Sequence, residues 1–217
     1  MSVERALLVC GAAEDEELWD AVMPALDMPS EIQVLEPTDD LAALTAAVAA
    51  RLSPTTALVG HSLGGAIAAR IAVADPAASA GFVVVACGST LPVHAATWAL
   101  LHKRGPAGLA RSFAEAACGG HADVADRMEA MVLRHAGALE PHLRACDAFA
   151  LAASTPTPAP IEVVAGARDR LVSRRLMTAL ADVLGARLTV LPDAGHQVPW
   201  EAPEAVAAAV GRLDRVA

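Results

Sequence analysis

TTALVGHSLGGAIAARIA, residues 55–72, passes from an apolar run through Gly60-His61-Ser62-Leu63-Gly64-Gly65 into an alanine-rich run with no loop residues between them. The apolar spacing changes there from that of a strand to that of a helix. A serine at such a junction serves as a nucleophile only if its hydroxyl projects from the backbone. A sharp strand-turn-helix achieves this by forcing the serine into a strained, positive-φ conformation, which is tolerated when the residues two before and two after lack bulky side chains. Gly60 and Gly64 occupy those two positions. The following helix aims its N-terminus at the serine, which makes the Leu63 N–H the natural first donor to a developing oxyanion. In a chain rich in Ala and Gly the bare G-x-S-x-G pattern proves little, so its weight depends on what surrounds it.

Working outward, short apolar runs alternate with longer helical segments. Upstream lie the strand-like ALLVC (6–10), the helically spaced ELWDAVMPAL (17–26), the strand-like IQVLEP (32–37) and the helix TDDLAALTAAVAARL (38–52), with Thr38 as its cap. Downstream, LGGAIAARIAVA (63–74) reads as a helix stopped by Asp75-Pro76, followed by the buried strand AGFVVVACG (80–88). From Leu91 to about Ala153 only helical stretches follow, which predicts an all-helical insertion over 91–155 ending in the stiff, proline-rich STPTPAP (154–160). Alternation resumes with IEVVAGARD (161–169), a helix over 173–184, the strand ARLTVLP (186–192) and a last helix over 203–216. Strands joined by crossover helices imply a parallel sheet covered on both faces, built from residues 1–90 and 156–217.

Composition narrows the function. With 217 residues, 55% hydrophobic and 19% charged, the chain suits one globular unit, and with aromatics at 3% its core must be built from Ala, Val and Leu. A net charge of -9 argues against nucleic acid and anionic membranes as partners. The opening MSVERALLVCG is too short for a signal-peptide core, which predicts a cytoplasmic protein. Cys10, Cys87, Cys118 and Cys146 form no CxxC pair and read as buried small hydrophobes. His94, His102, His121, His135 and His142 lack paired ligand spacing, so no metal is expected, and they read as solvated or core-edge residues.

A serine nucleophile needs a base and an acid that orients it. AGARDRL places Asp169 just past a strand, and PDAGHQVPW places His196 past the next, which gives the order Ser, Asp, His. Asp193 competes for the acid role, but an orienting carboxylate has to approach the imidazole from a separate loop, which favours Asp169.

With these residues in hand the chain resembles the α/β-hydrolase superfamily, in its capped single-domain branch. GHSLGG looks like the nucleophile elbow, GARD like the acid turn, and DAGHQVPWEAPEAVAAAV like the histidine loop and last helix. LLVCGAAEDEELWDAVMPAL is similar to the segment after the family's third strand. The resemblance implies an α/β fold with a mostly parallel six-stranded sheet (family strands 3 to 8), helices on both faces and a helical cap between the sixth and seventh strands. It implies Ser62 as nucleophile, His196 as general base, Asp169 as orienting acid and the Ala12 N–H as second oxyanion donor beside that of Leu63. Trp98 and His61 are candidate pocket residues, and no cofactor is required. The expected substrate is a small to medium, mostly apolar carboxylic ester or thioester, cleaved through an acyl-enzyme. A lyase or carbon-carbon bond hydrolase using the same triad is the alternative. One departure stands out: Cys10 lies where the family usually has His before Gly11.

Overall fold

Runs of Leu, Val and Ala that are apolar on both faces cannot sit at a solvated sheet surface, and here they form the centre of a parallel sheet. In a computed structural model describing residues 2–151 and 157–214, the strands are β1 (Arg5–Val9), β2 (Ser30–Gln33), β3 (Thr56–His61), β4 (Gly81–Val85), β5 (Ile161–Gly166) and β6 (Arg187–Leu191). They form one six-stranded sheet in the order β2-β1-β3-β4-β5-β6, and every pairing is parallel. β3, β4 and β5 are buried along their whole length.

The helices are α1 (Leu41–Ala49), α2 (Leu63–Ala74), α3 (Ala95–Ala117), α4 (Ala122–Arg134), α5 (Ala136–Ala148), α6 (Arg174–Leu184), α7 (Val198–Glu201) and α8 (Pro203–Leu213). Alternate strand residues face opposite layers. Leu7, Val9, Leu58, Phe82, Val84 and Val163 pack against α1, α2 and α6, whereas Leu8, Val59, Val83, Val85 and Val164 pack against Trp19, Val206 and Val210 on the other side. Each fully buried aliphatic side chain contributes about 1.5–3 kcal/mol, so these two layers hold most of the fold's stability. A third apolar cluster joins α3, α4 and α5, which run between β4 and β5 with no strand among the described residues. No helix of the described residues is long and apolar enough to cross a membrane.

Two local expectations are corrected. ELWDAVMPAL does not form an α-helix but two 3-10 turns, Glu16–Trp19 and Met23–Ala25. Pro24 has no N–H, and its ring would strike the carbonyl of Asp20 in a continuous helix. The cap of α1 is Asp40, whose carboxylate accepts from Ala42 N at 3.0 Å and Ala43 N at 2.9 Å, while Thr38 Oγ1 instead accepts from Asp40 N. α3 is broken by Gly105, at φ 67°, before Pro106. Residues 215–216 of the expected last helix and 154–156 of the expected connector lie outside the described residues.

Candidate active site

In a parallel sheet the loops after successive strands emerge at the same edge, so residues far apart in sequence become neighbours there. Ser62 follows β3 at φ 52° and ψ -112°, one of only three non-glycine residues with positive φ among those described. Its N–H donates to Val85 O at 2.9 Å, which ties the turn to β4, and α2 begins at the next residue. A Cβ on Gly60 would overlap the Gly64 carbonyl, and one on Gly64 would sit 2.5 Å from Val9 O. The elbow therefore closes only with glycine at both positions. Ser62 Oγ makes no hydrogen bond to another described residue.

Asp169 leaves β5 in a turn in which its Oδ1 accepts from Leu171 N at 2.8 Å and Val172 N at 2.9 Å. That fixes Oδ2 on His196 Nδ1, 2.7 Å away, with both side chains buried. Nδ1 then carries the proton and Nε2 is left as the basic nitrogen. Burial alone would lower the basicity of His196, but the charge and hydrogen bond of Asp169 outweigh it and hold the imidazole above its ordinary value. Asp193 takes no part in this pairing: its side chain is 78% exposed and bridged to Arg168.

Ser62, His196 and Ala12 line one small cavity of about 60 Å³, walled mostly by apolar groups including Leu91, Phe113 and Leu143. On the loop after β1, Gly11 N donates to Glu14 Oε2 at 2.6 Å and Ala13 N to His142 Nδ1 at 3.1 Å. The Ala12 N–H between them meets no acceptor among the described residues, and neither does the Leu63 N–H at the start of α2. Two unpaired donors thus lie beside Ser62, where a carbonyl oxygen acquiring charge could accept from both.

Glu14 was given no role by the sequence. Its side chain is only 2% exposed, and it accepts from His61 Nδ1 at 2.8 Å and Gln197 Nε2 at 3.1 Å as well as from Gly11 N. Burial pushes its carboxyl up, but the His61 charge and these hydrogen bonds bring it below the ordinary value. His61 faces acceptors with both ring nitrogens, because Nε2 lies 2.9 Å from His196 O. That is the pattern of an imidazolium.

A family model described as "Alpha/beta hydrolase family" matches residues 9–209. The chain belongs to that family. Among solved structures of α/β-hydrolase fold, it is similar to an enol-lactonase from Burkholderia xenovorans LB400 (17% identity, TM-score 0.82, covering 98% of this chain and 92% of that one). It is also similar to a malate-bound thermophilic esterase from Thermogutta terrifontis (21% identity, TM-score 0.75, 99% and 91% covered). An esterase from Exiguobacterium antarcticum matches at 12% identity, TM-score 0.81, with 99% and 92% covered. No curated protein matches the sequence. At these identities the likeness is one of fold.

In this α/β hydrolase neither candidate pocket residue lines the cavity at Ser62. Trp98 donates its indole N–H to Asp147 Oδ2 at 2.8 Å and sits with His102 and Arg144 at the surface, while its neighbour Thr97 takes the cavity position. His61 is fully buried behind His196, with the ring centroids 4.9 Å apart. Cys10 points its thiol at Asp15 O, 3.3 Å away. Two further polar side chains at the site, Glu14 and His142, carry no local sequence signal. Glu14 is one acid in a run of four, and His142 is one of several histidines on helices.

Proposed function

We propose that the chain is a serine hydrolase that cleaves a carboxylic ester or thioester of a small, mostly apolar acyl group through an acyl-enzyme. His196 Nε2 takes the proton of Ser62 Oγ as the oxygen attacks the carbonyl carbon, and Asp169 keeps the imidazole oriented and stabilises its positive charge. The N–H groups of Leu63 and Ala12 hold the tetrahedral oxyanion. His196 then protonates the departing alcohol or thiol. The same nitrogen deprotonates the water that releases the acid and restores Ser62.

The observation that carries this reading is the gathering of a positive-φ serine, an Asp-paired imidazole and Ala12, whose N–H has no acceptor among the described residues, around one cavity, with the acceptorless Leu63 N–H on the residue after the serine. The cavity is small, about 60 Å³, and walled mostly by apolar groups, which favours a small apolar acyl chain. Residues 91–155 act as a cap in this reading, because Thr97, Phe113, Leu143 and Cys146 of the intervening helices close the cavity. The test is hydrolysis of p-nitrophenyl acetate and butyrate together with labelling by a fluorophosphonate. Wild type should do both and Ser62→Ala neither, and a Ser62→Ala protein as active as wild type rules the mechanism out.

A further inference from the structure

The loop that presents Ala12 is held from two sides, and one of the two supports comes from the helical segment between β4 and β5. We propose that His142, on α5, is a positioning residue for the oxyanion loop: its Nδ1 fixes the Ala13 N–H and so sets the direction of the neighbouring Ala12 N–H. This rests on the serine-hydrolase reading above. His142 is 1% exposed. Its Nε2 lies 2.8 Å from Glu36 O, which can only accept, so the ring proton is on Nε2 and Nδ1 offers a lone pair to Ala13 N at 3.1 Å. Burial depresses the basicity of this ring against the opposing pull of the Glu36 carbonyl and the Glu14 charge, which keeps it neutral and accepting.

The loop needs such a clamp. Ala13 sits at φ 55°, a left-handed conformation that costs an L-residue about 1–2 kcal/mol and relaxes unless neighbouring contacts hold it. On the other side of Ala12, the Gly11 N–H is taken by Glu14. With both flanking N–H groups engaged, the Ala12 N–H lies between them without an acceptor among the described residues, beside the cavity that Ala12 lines. The residue before Gly11, Cys10, gives the loop only a thiol contact to Asp15 O. α5 thus reaches the loop through His142 and the cavity through Leu143 and Cys146.

The discriminating variants are His142→Asn, which keeps an acceptor at the Nδ1 position, and His142→Leu, which keeps bulk and removes it. Each is assayed with p-nitrophenyl acetate well below its own unfolding midpoint, and with 1,1,1-trifluoro-2-butanone, whose adduct with a serine carries an oxyanion. His142→Leu should lower kcat by about tenfold to a hundredfold, leave KM within about twofold and weaken the trifluoroketone by the same factor as kcat. His142→Asn should stay within about threefold of wild type on all three measures. A folded His142→Leu with unchanged kcat, or with lower kcat but unchanged trifluoroketone affinity, overturns the proposal. If neither variant folds, exchange of the Ala13 amide in wild type decides: protection supports the clamp, and exchange as fast as that of an open loop refutes it. Absence of both turnover and fluorophosphonate labelling in wild type would instead strike the hydrolase reading.

Discussion

Glu14→Gln tests the buried charge network beneath the site at nearly constant shape. The carboxylate accepts three hydrogen bonds, from Gly11 N, His61 and Gln197. A glutamine can keep the first two through its single oxygen. Its NH2 then opposes the Gln197 NH2, but Gln197 can turn, because its Oε1 has no partner among the described residues. The hydrogen-bond loss is therefore small, and the main loss is the negative charge facing His61, in a pair whose side chains are 0% and 2% exposed. Removing one partner of a buried pair costs about 3–5 kcal/mol, and the retained bonds place this variant near the lower end, at about 3 kcal/mol. For a domain of this length about 2–4 °C of midpoint follows each kcal/mol, which predicts a fall of roughly 6–12 °C at pH 7. The sign with pH follows from the direction of the Glu14 shift. Because the folded-state value lies below the ordinary glutamate value of 4.5, the carboxylate stabilises the fold fully above that pH, and the contribution drains as pH falls through the folded-state value. Thermal unfolding followed by circular dichroism from pH 7 down to 3 should show the gap between wild type and Glu14→Gln closing only below about pH 4.5. A gap under about 1 kcal/mol at pH 7, or one that persists undiminished in acid, would refute the charged-pair assignment.

Asp169→Asn removes the charge that raises the His196 imidazole above its ordinary value. Since the base must be neutral, the acid limb of kcat/KM in wild type lies above the ordinary histidine value. In the variant it should move to lower pH while the plateau falls by about 10³–10⁴-fold; an unmoved limb would show that another group controls it. The four cysteines are all free and buried, and burial pushes the thiols of Cys118 and Cys146 up to about 12 and that of Cys87 well above its ordinary value. Ellman's reagent at pH 8 should therefore react with none of them in the native protein and with all four in guanidinium chloride.

Much of the architecture was legible because a parallel sheet writes itself plainly. Its strands are short runs apolar on both faces, such as FVVV in β4 and IEVV in β5, and the crossover helices between them have no other place to pack. The segments that misled carry two signals at once. ELWDAVMPAL has helical apolar spacing, and Leu18, Trp19 and Val22 are indeed buried, but Pro24 prevents the backbone from continuing as one helix. Thr38 is a good cap by type, yet Asp40 lies nearer the first free N–H groups and takes them. Trp98 reads as a pocket residue from its place on the helical segment, but helix phase decides which of two neighbours faces inward, and that phase is set by packing against the cavity wall.

Glu14 and His142 were illegible for a different reason. Ser62, Asp169 and His196 each sit just past a strand end, so sheet topology alone converts their order in the chain into proximity. His142 has no such frame. It reaches Ala13 across 129 positions from the middle of α5, and its role depends on helix packing that no local pattern specifies. The same packing makes Cys10 tolerable at a position where the resemblance leads one to expect histidine. What the turn requires is an acceptor for each N–H flanking Ala12, and the carboxylate of Glu14 and the imidazole of His142 meet that requirement from two other parts of the chain. The support of the loop has thus passed from the residue beside it to Glu14, which also holds the His61 ring that meets His196 O, and to His142, whose neighbour Leu143 lines the cavity. In this chain the geometry of the Ala12 N–H is therefore coupled to the seating of α5, and the helices over the site contribute to its electrostatics as well as to its shape.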